Sequence, residues 1–305
     1  MYNGNAKQGF VLDTVCSIYE RRGFETILEQ YKSVEQELGK DLSNFSFEEH
    51  CGVIEPLFAK RYTTAIWWMG FYMIRKYLRW CVAHNIEGAV DNLDGYIPQD
   101  VGSYRNAFLS GPEELQERMD AVLAPEERVE PDIVVRAFLW ILFMGVPIDN
   151  AVELNEADVD LVNLRINVGE KTFPIHPLAL STIIKAAQTK TFTLIHTYYT
   201  ATVPRYESQR LLRNRRSDPT YNTLRLPLLK AIRRAGKEEG WLSPKDVFRS
   251  GYFYRALRNE RQGKSADFTS YILLENNTLS GRVLNSACRD RNGYYCKWKL
   301  VNNYL

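Results

Sequence analysis

The chain has 305 residues, 45% hydrophobic and 25% charged with a formal net charge of +2, the balance of an ordinary globular protein long enough for two modest domains. Its five cysteines (Cys16, Cys51, Cys81, Cys288, Cys296) are scattered and form no C-x-x-C, which argues against a disulfide framework or zinc ribbon and for a reducing compartment. No basic-then-apolar leader opens the chain, and its longest apolar run, residues 137–146, is about half of a membrane span, so the expectation is a cytoplasmic protein without a membrane partner.

Residues 10–40 read as helix, with Val11, Val15, Ile18 and Tyr19 at helical spacing and a break at Arg22-Gly23. Ser46 followed by Glu49 is an S-x-x-E start signal for a second helix. Residues 61–83, RYTTAIWWMGFYMIRKYLRWCVA, form a long aromatic helix that is apolar around much of its circumference and therefore central and buried. Its beginning is basic and hydroxylated, and its end carries Arg75, Lys76 and Arg79. Residues 88–109 are rich in Gly, Asp, Asn and Pro and read as a linker. Ser110-Gly-Pro-Glu113 opens a helix to about Val122, and an acidic loop and an apolar helix over 133–145 follow. A short helix over 148–154 precedes a β-hairpin spanning 164–175, with its turn at Gly169-Glu170. Residues 177–187 are helical, 222–239 form a basic amphipathic helix, and Ser243-Pro-Lys-Asp opens another helix to about Arg258. Cys81-x-x-His84 is half of a metal site with no second half at a usual spacing, so no metal or cofactor is expected.

Charge is distributed unevenly. Residues 87–163 hold 4 Lys and Arg against 17 Asp and Glu, a net of −13, whereas residues 203–264 hold 16 against 6, a net of +10. The basic block points to an anionic partner, or the two blocks are faces that attract each other within the fold.

The stretch FLWILFMGVPIDNAVELNEADVDLVNLRINVGEKTFPIHPLAL, residues 138–180, resembles the catalytic domain of the tyrosine recombinases, the phage integrase family. Gly145, Leu154, Asp158-Val159-Asp160, the hairpin and Pro174/Pro177 fall in register with that family's pattern. Ahead of it, FLSGPEELQERMDAVL is similar to the domain's opening helix, and residues 31–86 resemble the family's SAM-like core-binding domain. The resemblance implies a mainly α, two-domain recombinase architecture. The core-binding domain would span 1–90, a linker 91–109, and a catalytic-like domain 110–305.

That family cuts DNA with a tyrosine nucleophile, two arginines that neutralise the phosphorane, a hairpin lysine and histidine partners. The position of the first arginine holds Pro147. In the second box, Ser243-Pro-Lys-Asp-Val-Phe-Arg-Ser250, Lys245 stands for histidine and Phe248 for arginine, and Arg249 is one residue late, a turn of about 100° on a helix. His50, His84, His176 and His196 all fall outside the box, and Tyr294, Tyr295 and Tyr304 read as structural. The expectation is a protein without catalytic activity. The resemblance extends to the integrase-like master repressors of SPbeta-type prophages, which maintain lysogeny. It implies a sequence-specific transcriptional repressor on double-stranded DNA, at the nucleoid of a bacterial host.

Candidate DNA contacts in the first domain are Arg61, Tyr62, Thr63 and Thr64, with Lys60 beside them. In the second they are Lys171, Arg205, Arg210, Arg213, Arg215, Arg216, Tyr221, Asn222, Thr223, Arg225, Lys245, Arg249 and Arg255. Cationic groups contribute salt-dependent affinity for phosphate, and the Tyr221-Asn-Thr start of a helix offers N–H groups to phosphate and short polar side chains to base edges. The alternatives are a divergent active recombinase in which Arg249 or another arginine has moved into the site, and a scaffold that binds a protein through the acidic block. The aromatic tail from Tyr294 either packs in its own core or joins homo-oligomers by docking on a neighbouring subunit.

Overall fold

The computed structural model describes residues 4–14, 17–59, 65–123, 132–196, 199–213, 217–266, 268–276 and 278–304. In chain order the helices are α1 (Gly4–Asp13), α2 (Ile18–Leu38), α3 (Phe47–Phe58), α4 (Ala65–Ala83), α5 (Gly102–Ala107), α6 (Pro112–Val122), α7 (Asp132–Phe143) and α8 (Ile148–Glu153). Strands β1 (Val159–Asp160), β2 (Arg165–Val168) and β3 (Lys171–Pro174) come next, then α9 (Pro177–Gln188), β4 (Thr191–His196) and β5 (Tyr199–Pro204). The chain ends in α10 (Tyr221–Arg234), α11 (Pro244–Glu260), α12 (Thr269–Glu275) and α13 (Gly281–Val301). The architecture is mainly α, as expected. Contacts divide the chain into Met1–Gly102 with Arg255–Leu305, and Ser103–Tyr254. This differs from the boundaries read above, because residues 255–305 group with the N-terminal unit.

In the first unit α4 is the buried axis, its Met69, Phe71, Met73, Ile74, Tyr77 and Leu78 all without solvent exposure. The break expected at Arg22-Gly23 does not exist. Gly23 lies inside α2, where a Cβ would stand 2.7 Å from Met69 Cβ and 2.9 Å from Gly70 N. Gly70 faces it, with Gly23 O at 2.8 Å from the place of its missing Cβ. The glycines are there for close helix approach, a use that outweighs their cost in helix propensity. Gly293 of α13 plays the same part against Ala65 at the start of α4, its missing Cβ falling 2.5 Å from Ala65 Cα. The Ser46–Glu49 capping box forms as read, with Ser46 N donating to Glu49 Oε2 at 2.6 Å. Arg75 and Arg79 are not a free basic end: Asp94 Oδ1 accepts from them at 2.6 and 2.5 Å, which pins the acidic connection onto α4.

The C-terminal helix is locked by a buried cation. Lys299 is 1% exposed and reaches Glu20 at 3.3 Å and Glu260 at 3.2 Å, with its ammonium 3.9 Å from the Tyr72 ring centre and 4.3 Å from that of Tyr295. Burial opposes ionisation of Glu20, but Lys299, the Ser17 N–H and Lys76 outweigh it and hold its carboxyl below the usual range. The tail's Tyr295 and Trp298 are buried within the chain, at 1% and 0% exposure.

The second unit is built on α7, in which every residue is buried. After it Gly145 takes φ +99, and Gly251 of α11 lies where a Cβ would strike the Phe143 carbonyl. Strands β1, β2 and β3 form one antiparallel sheet, with Ile166 opposite Phe173 on the buried side and Val168 opposite Lys171 at the turn. Gly169 supplies the positive φ (+56) that the tight turn needs. Strands β4 and β5 form a second hairpin. The Ser110–Glu113 capping box does not form: Gly111 is the N-cap of α6 and has no side-chain cap bond, and Ser110 N and Oγ both donate to Glu114 Oε2 at 2.7 Å.

Two outcomes test this packing. Gly23→Ala and Gly293→Ala should each cost about 1–3 kcal/mol by overpacking, whereas Gly52→Ala, in a helix with open space around it, should stabilise by about 0.5–1 kcal/mol in urea melts. His50, bonded to Tyr31 Oη at 2.9 Å, is pushed down to about 4 by desolvation. The unfolded chain takes up this proton near pH ~6.5 and the folded chain only near 4, so stability is full above the upper value and falls as pH drops through that window. The loss approaches about 3 kcal/mol at pH 4, and the pH slope of the urea midpoint should be shallower in His50→Gln.

Candidate nucleic-acid interface

The residues at the two positions where the resemblance expects arginines, Pro147 and Phe248, both lie in the core. Pro147 is buried and stands as the cap of α8, with φ −58. Phe248 is 3% exposed and packs edge-on against Tyr252 at 5.6 Å. Arg249 is partly exposed and pairs with Asp246 at 3.5 Å. His176 caps α9, its Nδ1 accepting from Leu178 N at 3.3 Å, and its ring lies parallel to that of Trp140. Tyr295 donates from Oη to Glu260 at 2.9 Å, Tyr304 packs on Trp298 at 5.1 Å, and Tyr294 is exposed on α13. Cys81 is buried and His84 stacks on Trp80; among the described residues no three potential ligands gather around a metal position.

The basic block separates into internal and external groups. Arg205 is 5% exposed and cannot reach a phosphate. Its guanidinium donates to Ala186 O, to Thr189 O at 3.0 Å, to Leu211 O at 2.8 Å and to Arg213 O at 3.3 Å, fastening the base of the β4–β5 hairpin. Arg210 donates to the Glu153 carbonyl, and Arg213 to Ser208 O at 2.7 Å and to the Glu156 carboxylate. For these two the acidic and basic blocks meet within the fold. Arg255 lies over the Tyr271 ring at 5.3 Å and belongs to the first unit. Thr223 turns its hydroxyl to the Thr220 cap, accepting from Thr220 N at 2.8 Å. Arg61, Tyr62, Thr63, Thr64, Arg215 and Arg216 lie outside the described residues.

Lys171 is exposed at the hairpin turn, Lys245 is exposed at the start of α11, and Tyr221 and Arg225 are half-buried on α10. The strongest surface is the outer side of α10. Leu224, Leu228, Ala231 and Ile232 face the core, which leaves Asn222, Leu226, Lys230 and Arg233 on the opposite face at i, i+4, i+8 and i+11. Sequence reasoning missed Lys230, Arg233 and the 53% exposed Leu226, although the helical period of Leu224, Leu228 and Ile232 already placed them outward. The helix begins with a complete Thr220–Thr223 capping box and carries Arg233 and Arg234 in its last turn. An exposed helix with a short amide, an aliphatic and two cations along one stripe has the groups that read base edges and neutralise phosphates.

Residues 1–83 match the family model "MrpR, N-terminal core-binding domain". Among solved structures the chain is similar to a XerA recombinase at 14% identity, with a TM-score of 0.39, over 90% of this chain and 93% of that one. No curated protein sequence matches the chain. The core-binding match lies at the N-terminal end of a mainly α chain, and the apolar helix, hairpin and proline-led helix expected from the sequence follow in the second unit. Among the described residues no helix is long and apolar enough to cross a membrane.

Arg205→Ala should cost about 2–4 kcal/mol, since its carbonyl partners are left without a donor, and Arg205→Lys should not restore it, because an ammonium lacks the planar fork. Lys171→Ala should change stability by less than about 0.5 kcal/mol in the same melts.

Proposed function

We propose that the chain binds specific duplex DNA without cutting it and acts as a phage or prophage transcriptional repressor that maintains lysogeny. The observation that carries this reading is the pairing of buried Pro147 and Phe248 at the two arginine positions with an exposed cationic stripe on α10. The phosphate-gripping charges of the reaction are missing, and a preorganised group of that kind contributes about 3–4 kcal/mol to a transition state. The groups that hold and read a duplex remain. The core-binding match over residues 1–83 supports a second DNA contact from the N-terminal unit.

A nicked suicide substrate, which traps the tyrosine–phosphate intermediate of a recombinase, should yield no covalent adduct; an adduct would establish the divergent-enzyme reading. Genomic fragments selected by the protein should converge on one site. Affinity for that site should fall steeply between roughly 50 and 200 mM salt, and Lys171→Ala, Lys230→Ala and Arg233→Ala together should lower the slope of log K against log salt by about 3. Salt-independent binding would rule out a phosphate-based interface.

A further inference from the structure

The first unit contains a cavity of about 550 Å³ between the first turns of α2 and α4 and the first half of α13. Its apolar lining comes from Ile18, Ile66 and Met69, and its polar lining is dominated by Arg22, Arg282 and Arg289. Among the described residues no carboxylate lines it. Glu20, the acid nearest Arg22 in sequence, is turned into the buried pair with Lys299. Arg289 donates to Ser286 Oγ at 3.1 Å and makes one loose pair with Asp290 at 3.7 Å, both groups being about half exposed. Three guanidinium groups from two helices are thus gathered around an apolar cavity whose own lining does not neutralise them.

We propose that this cavity is a binding site for a small amphipathic anion, a molecule with an aliphatic or aromatic body and one carboxylate, sulfonate or phosphate group. The body would cover Ile18 and Ile66, and the anionic end would accept from the arginines, whose planar donors suit a two-oxygen group. The volume lies within the range of small-molecule sites, about 300–1,000 Å³, and the mixture of apolar lining with a few convergent polar groups is their usual composition. A duplex would meet the charges but would leave the apolar lining unsatisfied. The cavity is lined by residues of the first unit and by none of the α10 residues, so this inference does not depend on the function proposed above.

The test is a fluorescence titration of the full chain with 8-anilinonaphthalene-1-sulfonate, followed by competition with octanoate, 1-octanol, inorganic phosphate and a non-specific DNA duplex. The expected result is one saturable site per chain from which octanoate displaces the dye at least tenfold better than octanol or phosphate. Arg22→Ala with Arg282→Ala should weaken dye binding at least tenfold. Ile66→Trp, which fills the cavity without changing charge, should abolish binding, with circular dichroism and the melting temperature showing that both variants remain folded. Equal displacement by octanol, dye binding that survives these substitutions, or no saturable binding would overturn the proposal. So would displacement by duplex but not by octanoate, which would assign the arginines to DNA.

Discussion

The N-terminal unit depends on one buried ammonium. Lys299 sits at 1% exposure among two carboxylates and two aromatic rings. Removing such a charge from water costs several kcal/mol, and only the complete set of partners offsets it. Those partners come from distant parts of the sequence: Glu20 from α2, Tyr72 from α4, Glu260 from α11 and Tyr295 from α13 itself. The pair therefore does more for register than for net stability. A slip of α13 by one residue would turn Lys299 away from both acids and would also lift Gly293 off Ala65, where no side chain fits. Charge and close packing specify the same placement, which is why the last stretch of the chain folds with the first.

This constraint explains what could be read in advance. The apolar period of α4, the Ser46–Glu49 box and the Ile166–Phe173 hairpin are local signals, carried by residues a few positions apart. Gly23 reads as a break because a glycine inside a helix looks the same in sequence whether it ends the helix or lets another pass close by; only Gly70, 47 positions later, tells the two apart. The β4–β5 hairpin has no comparable local signal. Its stretch lacks a strong turn dipeptide, and its base is fastened by Arg205, a residue that sequence alone assigns to the surface. The role of α13 was left open for the same reason, since the fit of Lys299 is non-local.

Counting charges overestimated the interface because arginine has two uses. Its planar fork of donors suits phosphate, and it equally suits a cluster of backbone carbonyls left by an irregular connection. Arg205 takes the second use fully, and Arg210 and Arg213 take it in part, joining the basic stretch to Glu153 and Glu156 of the acidic one. A basic excess in sequence becomes an external field only where the helical period turns the cations outward. On α10 the buried Leu224, Leu228 and Ile232 do this for Lys230 and Arg233.

The proposed absence of cutting rests on packing as well as on missing charge. If Pro147 and Phe248 were merely exposed neutral residues, restoring two arginines would go far toward restoring a phosphate grip. Both are buried instead. Pro147 starts α8 with a φ that proline prefers, and Phe248 contributes its ring to the core beside Tyr252. An arginine at position 248 would have to bury its guanidinium or disrupt that contact, and either outcome is costly without an acid to receive it. Asp246, the nearby carboxylate, is already engaged with Arg249. On the proposed reading, an arginine grip at these positions would require repacking around α11, and the α10 surface proposed to bind DNA is not tied to them.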